Sequence, residues 1–433
     1  MARLDLLTAN DAPGAYPASW YAETAIGAAP RPALRGAERA DVCVIGGGYA
    51  GLSAALHLRE RGYDVVLIEA QRLGWGASGR NGGQIGSGQR RDQDWLERTA
   101  GRDQARMFWN LAEEAKATVR GLIERHAIPC DYRAGVAHAA LRPGDVAEAR
   151  AAAEKLARDY GYADCAPLDR AGIAELLGTD AYQGGDLDMG AGHLHPLNYA
   201  LGLAGAAEAA GARVYERSRA VSVEAGRVRT AEGEVSAGHI LLCCNGYLGD
   251  LVPRVAERVM PINNFIIATE PLGPERAAAL IPTGVAAADS RFVVNYWRLS
   301  ADGRMLFGGG ESYGYRFPRD IAGLVRPRML GVYPGLADLR VTHAWGGTLG
   351  ITASRMPAFQ RLPGGIFSAA GFSGHGVAMA TLAGKLLAEA VAGTAERFDL
   401  FAGLPPPAFP GGAALRWPLL VLAMSWYSLR DRL

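Results

Sequence analysis

The sequence predicts an α+β chain in which a Rossmann-type β-α-β unit is assembled from separated segments around an inserted, largely antiparallel domain. Three observations carry this. An apolar run over residues 41–45 passes through Gly46-Gly47-Gly48-Tyr49-Ala50-Gly51 into helically spaced residues, and a second apolar run, Val65-Val66-Leu67-Ile68, ends in Glu69. From Val259 onward, strand-like runs separated by turn residues replace the alternation of strand and helix. Near the end the first pattern returns: residues 366–370 read as a strand, Gly371-Phe372-Ser373-Gly374-His375-Gly376 as a tight turn, and 377–391 as a helix.

The first motif has a specific physical logic. Gly46 allows the tight turn, Gly48 lets backbone approach a pyrophosphate, and Gly51 lets the helix lie close to the strand. The helix N-terminus offers unpaired N–H groups and partial positive charge to phosphates. Glu69 lies 23 positions after Gly46, where a carboxylate meets the adenosine ribose and repels a 2′-phosphate. After it comes a glycine-dense loop, Gly74-Trp75-Gly76-Ala77-Ser78-Gly79-Arg80-Asn81-Gly82-Gly83-Gln84. Such a run is costly to order, and beside a dinucleotide unit it marks close approach of backbone to a ligand.

Composition excludes several classes. A net charge of +1 over 433 residues leaves no electrostatic footprint for nucleic acid or an anionic membrane. Five cysteines with no C-x-x-C spacing fit a reducing, cytoplasmic setting and argue against a disulfide framework, a zinc site or a redox dithiol. His193 and His195 lack a third ligand at useful spacing, so no metal site is expected. Residues 1–36 lack the pattern of a signal peptide, and no run reaches the roughly 18 apolar residues of a membrane span. The apolar segment 417–433 suits packing on the body or on a partner subunit better than a membrane interface, because the run is short and begins at Pro418.

Between the motifs, residues 92–177 are mostly helical in pattern, notably 105–126 and 146–160. Residues 196–210 read as a helix stopped by Gly211, followed by short strands around 214–215, 221–223 and 228–229 and a buried strand over 240–244. Strand-like runs follow at 265–268, 292–297 and 305–307, with Asp302-Gly303 as a hairpin turn. The expected division is a nucleotide-binding domain from 37–97, 194–257 and 344–400, an inserted substrate domain from 98–193 and 258–343, and a C-terminal extension, 401–433.

These motifs resemble the D-amino acid oxidase-like superfamily of FAD-dependent oxidoreductases, the glycine and sarcosine oxidase group, and within it the bacterial gamma-glutamylputrescine oxidases. The residues carrying the likeness are the GGGYAGLSAAL start, the 74–84 loop, the 371–376 turn, the 298–302 hairpin and the ending Ser428-Leu429-Arg430-Asp431-Arg432-Leu433. The resemblance implies a glutathione-reductase-like FAD-binding domain. It implies FAD contacts at Gly46, Gly48, Tyr49, Ala50, Gly51, Glu69, Ala70, Gly76, Ala77, Ser78, Asn81, Gly82, Gly83, Gln84, Val221, Cys244, Asn245, Gly246, Gly371, Gly374, His375, Gly376 and Val377. The helix after Gly376 would point its positive end at the flavin's pyrimidine edge. No cysteine lies between Trp345 and Phe367, where sarcosine oxidases attach flavin, so noncovalent FAD is expected. Ala378 stands where those enzymes carry a lysine for a short amino acid's carboxylate.

The implied chemistry is amine oxidation: hydride passes from the carbon beside nitrogen to flavin N5, water hydrolyses the imine to an aldehyde, and O2 reoxidises the flavin to give hydrogen peroxide. There is one dinucleotide unit, since Gly308-Gly309-Gly310 leads into no helix, so electrons enter from an organic substrate. His375 is the catalytic candidate because the resemblance places it at the flavin, but the preferred reading of a histidine in a helix-start turn is a satisfied polar group, since hydride transfer needs only a neutral amine. Arg298 is a candidate grip for a distant carboxylate and Tyr296 a pocket wall. A dehydrogenase that passes electrons to a quinone or carrier protein, and a flavin-binding protein without turnover, remain as rivals. A homo-oligomer is compatible with all three.

Overall fold

The computed structural model describes residues 4–312 and 314–411. The expected apolar segment 417–433 lies outside them. Two sheets organise the described residues. In the first, the strands run Ala358–Leu362, Ile366–Ala370, Gly233–Leu242, Gly36–Ile45, Val65–Ile68 and Arg213–Tyr215, with Ser222–Glu224 and Arg227–Arg229 as an arm on Gly233–Leu242. The four central pairings, from Ile366–Ala370 across to Arg213–Tyr215, are parallel. Both faces of this sheet are covered, which explains why its strands read as unbroken apolar runs. Val42, Val44, Val65, Leu67 and Leu241 face helices Tyr49–Glu60, Pro196–Ala209 and Gly376–Val391. Cys43, Ile45, Val66, Ile68, Ile240 and Leu242 face the arm with Val228, Val235 and Val255. Thus the strand over 41–45, the helix after Gly48 and the late strand–turn–helix converge as the sequence predicts.

Helix Gly376–Val391 lies against helix Tyr49–Glu60, and the closest approach is at Gly384. A Cβ there would stand 2.4 Å from the Ala50 carbonyl oxygen, so no larger residue fits without separating the helices. The loop from Glu69 to Gly76 is tied down by Glu216, which is fully buried. Its carboxylate accepts hydrogen bonds from the Leu73 and Arg31 amides at 2.8 and 2.9 Å and from Arg72 Nε at 2.7 Å.

The second sheet runs Val341–Ile351, Met260–Pro271, Arg304–Ser312, Tyr296–Leu299, Ala286–Asp289, Arg133–Ala140, Gly184–His193 and Gln84–Ile85, with Cys165–Leu168 beside Gly184–His193. All pairings are antiparallel except Ala286–Asp289 with Arg133–Ala140. Strand Val341–Ile351 pairs along its length with Met260–Pro271, so the sheet carries the chain past residue 344. Gln84–Ile85 likewise joins this sheet from within the 37–97 segment.

The stretch 92–177 is mostly helical, as its pattern predicts, with helices Gln93–Ala100, Arg102–Arg125, Pro143–Tyr160 and Arg170–Leu177, but it also contains strands Arg133–Ala140 and Cys165–Leu168, which the pattern does not reveal. Alanine-rich composition favours helix, but sheet pairing on both sides of Arg133–Ala140 overrides a propensity of a few tenths of a kcal/mol per residue. The run 292–297 forms a strand only from Tyr296. The Asp289 carboxylate accepts from the Asn295 amide and its Nδ2, both at 2.9 Å, and from the Arg291 amide at 3.3 Å, which folds 290–295 into a loop.

His193 and His195 are both buried, and burial together with the Arg298 charge lowers each pKa to about 3. Both are held neutral: His193 Nε2–H donates to the Gly284 carbonyl, and His195 Nδ1 accepts from the Asn198 amide to cap helix Pro196–Ala209. Between pH ~6.5, the unfolded value, and pH ~3, the unfolded chain binds more protons. Stability is therefore expected to drop as the pH is lowered through that window, by about 1.4 kcal/mol per pH unit for each histidine. Thermal midpoints from pH 7 to 4 check this, and His195→Gln should flatten the slope.

Candidate active site

One cavity of about 1860 Å³ runs between the two sheets. It exceeds the roughly 300–1,000 Å³ of a site for one drug-sized ligand, leaving room for an extended cofactor and a substrate. Gly46, Gly48, Tyr49, Ala50, Glu69, Ala70, Gly76, Ala77, Ser78, Asn81, Gly82, Gln84, Val221, Cys244, Asn245, Gly246, Tyr296, Gly374, His375, Gly376 and Val377 all line it. The helix starts at Tyr49 and Gly376 both open on it, and neither carries a side-chain cap at its N-terminal residue. Ser78 Oγ accepts instead from the Tyr49 amide at 3.0 Å.

Gly51, Gly83, Gly371 and Arg298 do not line the cavity. Gly51 and Gly83 work behind its wall: a Cβ would stand 1.9 Å from the Gly46 carbonyl oxygen at the first and 2.0 Å from the Leu194 carbonyl oxygen at the second. Gly371, at φ +75°, donates its amide to Asn245 Oδ1 at 2.8 Å and so sets that cavity-lining loop.

Arg298, expected to grip a carboxylate, is corrected to a buried brace. Its Nε donates to the Gly82 carbonyl at 3.1 Å, its Nη1 to the Leu299 carbonyl at 3.3 Å, and its Nη2 to the Tyr21 hydroxyl at 3.4 Å. Trp297 packs into the core on the other face of the strand, so Tyr296 stands on the cavity face, where its ring wedges between Gly82 and Gly308; a Cβ at either glycine would fall within 2.7 Å of the ring.

His375 reaches the cavity, but its Nε2–H donates to the Gly88 carbonyl at 2.9 Å. Burial, with the charge of Arg90, lowers its pKa to about 4, so the ring is neutral at physiological pH and a poor proton acceptor.

Glu69 directs its carboxylate back at the loop, accepting from the Gly47 and Gln71 amides at 2.7 and 2.8 Å, while burial raises its pKa. Asn81 is likewise a staple: its Nδ2 donates to the carbonyls of Ala77 and Ser78 and its Oδ1 accepts from the Gly83 amide. Cys43 and Cys243 are buried and Cys244 partly so; burial raises all three thiol pKa values, with Cys244 pushed up to about 12, consistent with inert cysteines.

Other lining residues escaped the sequence reading. Arg90, Arg355 and His138 line the cavity, as do Leu4 to Leu7 of the N-terminal segment. Arg90 Nε donates to the Ser373 carbonyl at 3.2 Å. Burial lowers the Arg90 pKa, and the charges of Arg355 and Arg91 lower it further. The Arg90-Arg91 pair after the glycine-rich loop was a visible signal. His138 had none, standing alone in a stretch of helical composition.

Comparison with known proteins decides the family. The family described as "FAD dependent oxidoreductase" (DAO) matches residues 41–390. The chain belongs to the DAO family. It is 44% identical over 422 residues to gamma-glutamylputrescine oxidoreductase of Escherichia coli strain K12, covering 96% of this chain and 99% of the relative. It is equally 44% identical over 423 residues to a probable oxidoreductase, OrdL, of Rhizobium meliloti, covering 96% and 97%. Glycine oxidase from Geobacillus kaustophilus shares the fold, with a TM-score of 0.74 at 21% identity, over 86% of this chain and 100% of that one.

As a DAO-family member the protein is an FAD-dependent oxidoreductase, and its residues fit that cofactor. Gly46 adopts φ +112°, and a Cβ there would strike the Cys243 carbonyl oxygen at 2.7 Å. A Cβ on Gly48 would meet Ser78 Oγ at 2.8 Å, narrowing the passage beside the helix start, the kind of opening through which backbone can approach a pyrophosphate. Among the described residues no cluster of His, Cys, Asp and Glu suits a metal ion, and no single helix is long and apolar enough to cross a membrane.

Proposed function

We propose that the protein oxidises a gamma-glutamylated amine, gamma-glutamylputrescine or a close relative, with noncovalently held FAD. One observation carries the reading: dinucleotide-binding loops and a sheet wall with polar side chains share a single cavity, in a chain 44% identical to a gamma-glutamylputrescine oxidoreductase. The carbon beside nitrogen is oxidised to an imine, water hydrolyses the imine to an aldehyde, and O2 receives the electrons as hydrogen peroxide. Bound FAD supplies the two-electron acceptor. The helix starts at Tyr49 and Gly376 would present positive ends to the pyrophosphate and to the part of the ring where negative charge develops. Val221 and Asn245-Gly246 would hold the adenosine, and Tyr296 would wall the substrate side.

With Arg298 occupied as a brace, the carboxylate of a glutamyl group meets Arg90 and Arg355 instead. Their like charges press on each other, and an anion between them relieves that repulsion. A charge-assisted hydrogen bond contributes about 1.5–3 kcal/mol. Arg355→Ala is therefore expected to lower kcat/KM for the glutamylated amine by roughly 10- to 150-fold, with little effect on the free diamine, which has no carboxylate. Equal losses on both amines would remove Arg355 from the substrate site. Peroxide formed in step with amine consumed checks the oxidase assignment; dye or quinone reduction without peroxide would replace it with a dehydrogenase.

A further inference from the structure

We propose that His138, oriented by Asp186, accepts the proton an alkylammonium substrate must lose before the carbon beside its nitrogen is oxidised. This rests on the amine-oxidising reading. An alkylammonium resembling a lysine side chain loses its proton only near pH ~10, so at neutral pH almost every substrate molecule enters with its nitrogen lone pair tied up in an N–H bond. A neutral base must take that proton.

The fold assembles such a base on the sheet wall. Register places Asp186, His138, Ala288, Tyr296 and Gly308 in one row across five strands. His138, Ala288 and Tyr296 line the cavity. At about 4.8 Å per strand the imidazole and the phenol stand about 10 Å apart at their backbones, with only the Ala288 methyl between them. That leaves a slot for an extended amine chain. His138 Nδ1 bonds Asp186 Oδ1 at 2.8 Å, which fixes the ring, while the His138 side chain is 49% exposed, open along the cavity. The arrangement fits a tautomer with Nδ1–H donating to the carboxylate and the Nε2 lone pair presented to a ligand.

The other cavity groups are unsuited. His375 spends Nε2 on the Gly88 carbonyl, and Tyr296 donates its hydroxyl to Asn264 Oδ1. The groups that face His138 are Asp186 and Asp188 from its own sheet, Cys165 through its thiol bond to Asp186 Oδ1, Arg90 from the loop, and His375 from the helix start. Partial desolvation within the cavity and Arg90 oppose protonation of His138, but Asp186 outweighs them and its pKa is raised, so the imidazolium formed is stabilised in place. In the step, the ammonium N–H bond breaks, its electron pair stays on nitrogen, and the proton bonds His138 Nε2. The neutral amine is then able to give up the hydrogen on carbon together with its electron pair, which bound FAD would accept.

The test is the pH profile of kcat/KM for His138→Gln and Asp186→Asn holoenzymes, with bound FAD confirming that each has folded. His138→Gln is expected to lose about 10²- to 10⁴-fold at pH 7. It should regain about tenfold per pH unit toward pH 10, as free amine becomes available in solution. A fluorinated analogue of the same amine, neutral at pH 7, should be oxidised by His138→Gln and wild type alike. Asp186→Asn should move the acid limb to lower pH and, independently of turnover, lower the His138 imidazole pKa read by NMR of histidine-labelled protein. An unchanged profile in His138→Gln, an equal loss on the fluorinated amine, or a His138 pKa indifferent to Asp186→Asn overturns the proposal. Wild type that oxidises no amine at all overturns the underlying reading instead, and the NMR titration still reports on the pair.

Discussion

Gly51→Val is expected to give colourless protein. A Cβ at position 51 would stand 1.9 Å from the Gly46 carbonyl oxygen and 3.2 Å from Val44 Cγ1, and no rotamer change relieves a clash made by Cβ itself. Helix Tyr49–Glu60 would have to lift from strand Gly36–Ile45, taking with it the amides proposed to hold the pyrophosphate. Destabilisation upwards of about 3 kcal/mol, the upper end for overpacking, should accompany loss of FAD. Gly205→Ala is the matched control: nothing lies within 4 Å of its added Cβ, and the change should be neutral or stabilising by up to about 1 kcal/mol. FAD released on denaturation, per chain, checks both. A fully loaded Gly51→Val would remove the assigned loop from the cofactor site.

The second large effect is expected at Glu216. Replacing it with alanine strips the partner from Arg72 and from two amides, in a place where the carboxylate is fully buried. Removing one member of a buried pair costs about 3–5 kcal/mol, because the remaining charge is left uncompensated. Glu216→Gln keeps acceptor oxygen and should lose less. Urea unfolding midpoints separate the two, and a Glu216→Ala protein within about 1 kcal/mol of wild type would show that Arg72 finds another partner.

The nucleotide-binding half was legible because its physics is local. Turn glycines, buried parallel strands and a terminal carboxylate occur at short spacings, so residues 41–69 and 366–391 reveal strand, turn and helix without any long-range contact. The substrate wall is different. His138 and Asp186 are 48 positions apart and meet only through sheet register, and the strand carrying His138 has the composition of a helix. Arg298 misled for a related reason. Its place on a strand end near the ligand was read from sequence, but whether its guanidinium entered the cavity depended on Tyr21 and Gly82, from segments 277 and 216 positions away. Gly384 went unnoticed beside Ala378, Ala380 and Ala383, because only the packed helices show which small residue makes the closest approach.

Whether one cavity holds both the flavin and a long, carboxylate-bearing amine is tested most directly by anaerobic titration of the purified yellow protein. Gamma-glutamylputrescine is expected to bleach the flavin absorbance fully at one equivalent per FAD, well ahead of putrescine, glycine or sarcosine. Faster bleaching by glycine or sarcosine than by any long amine, or no bleaching by any amine, would contradict the account.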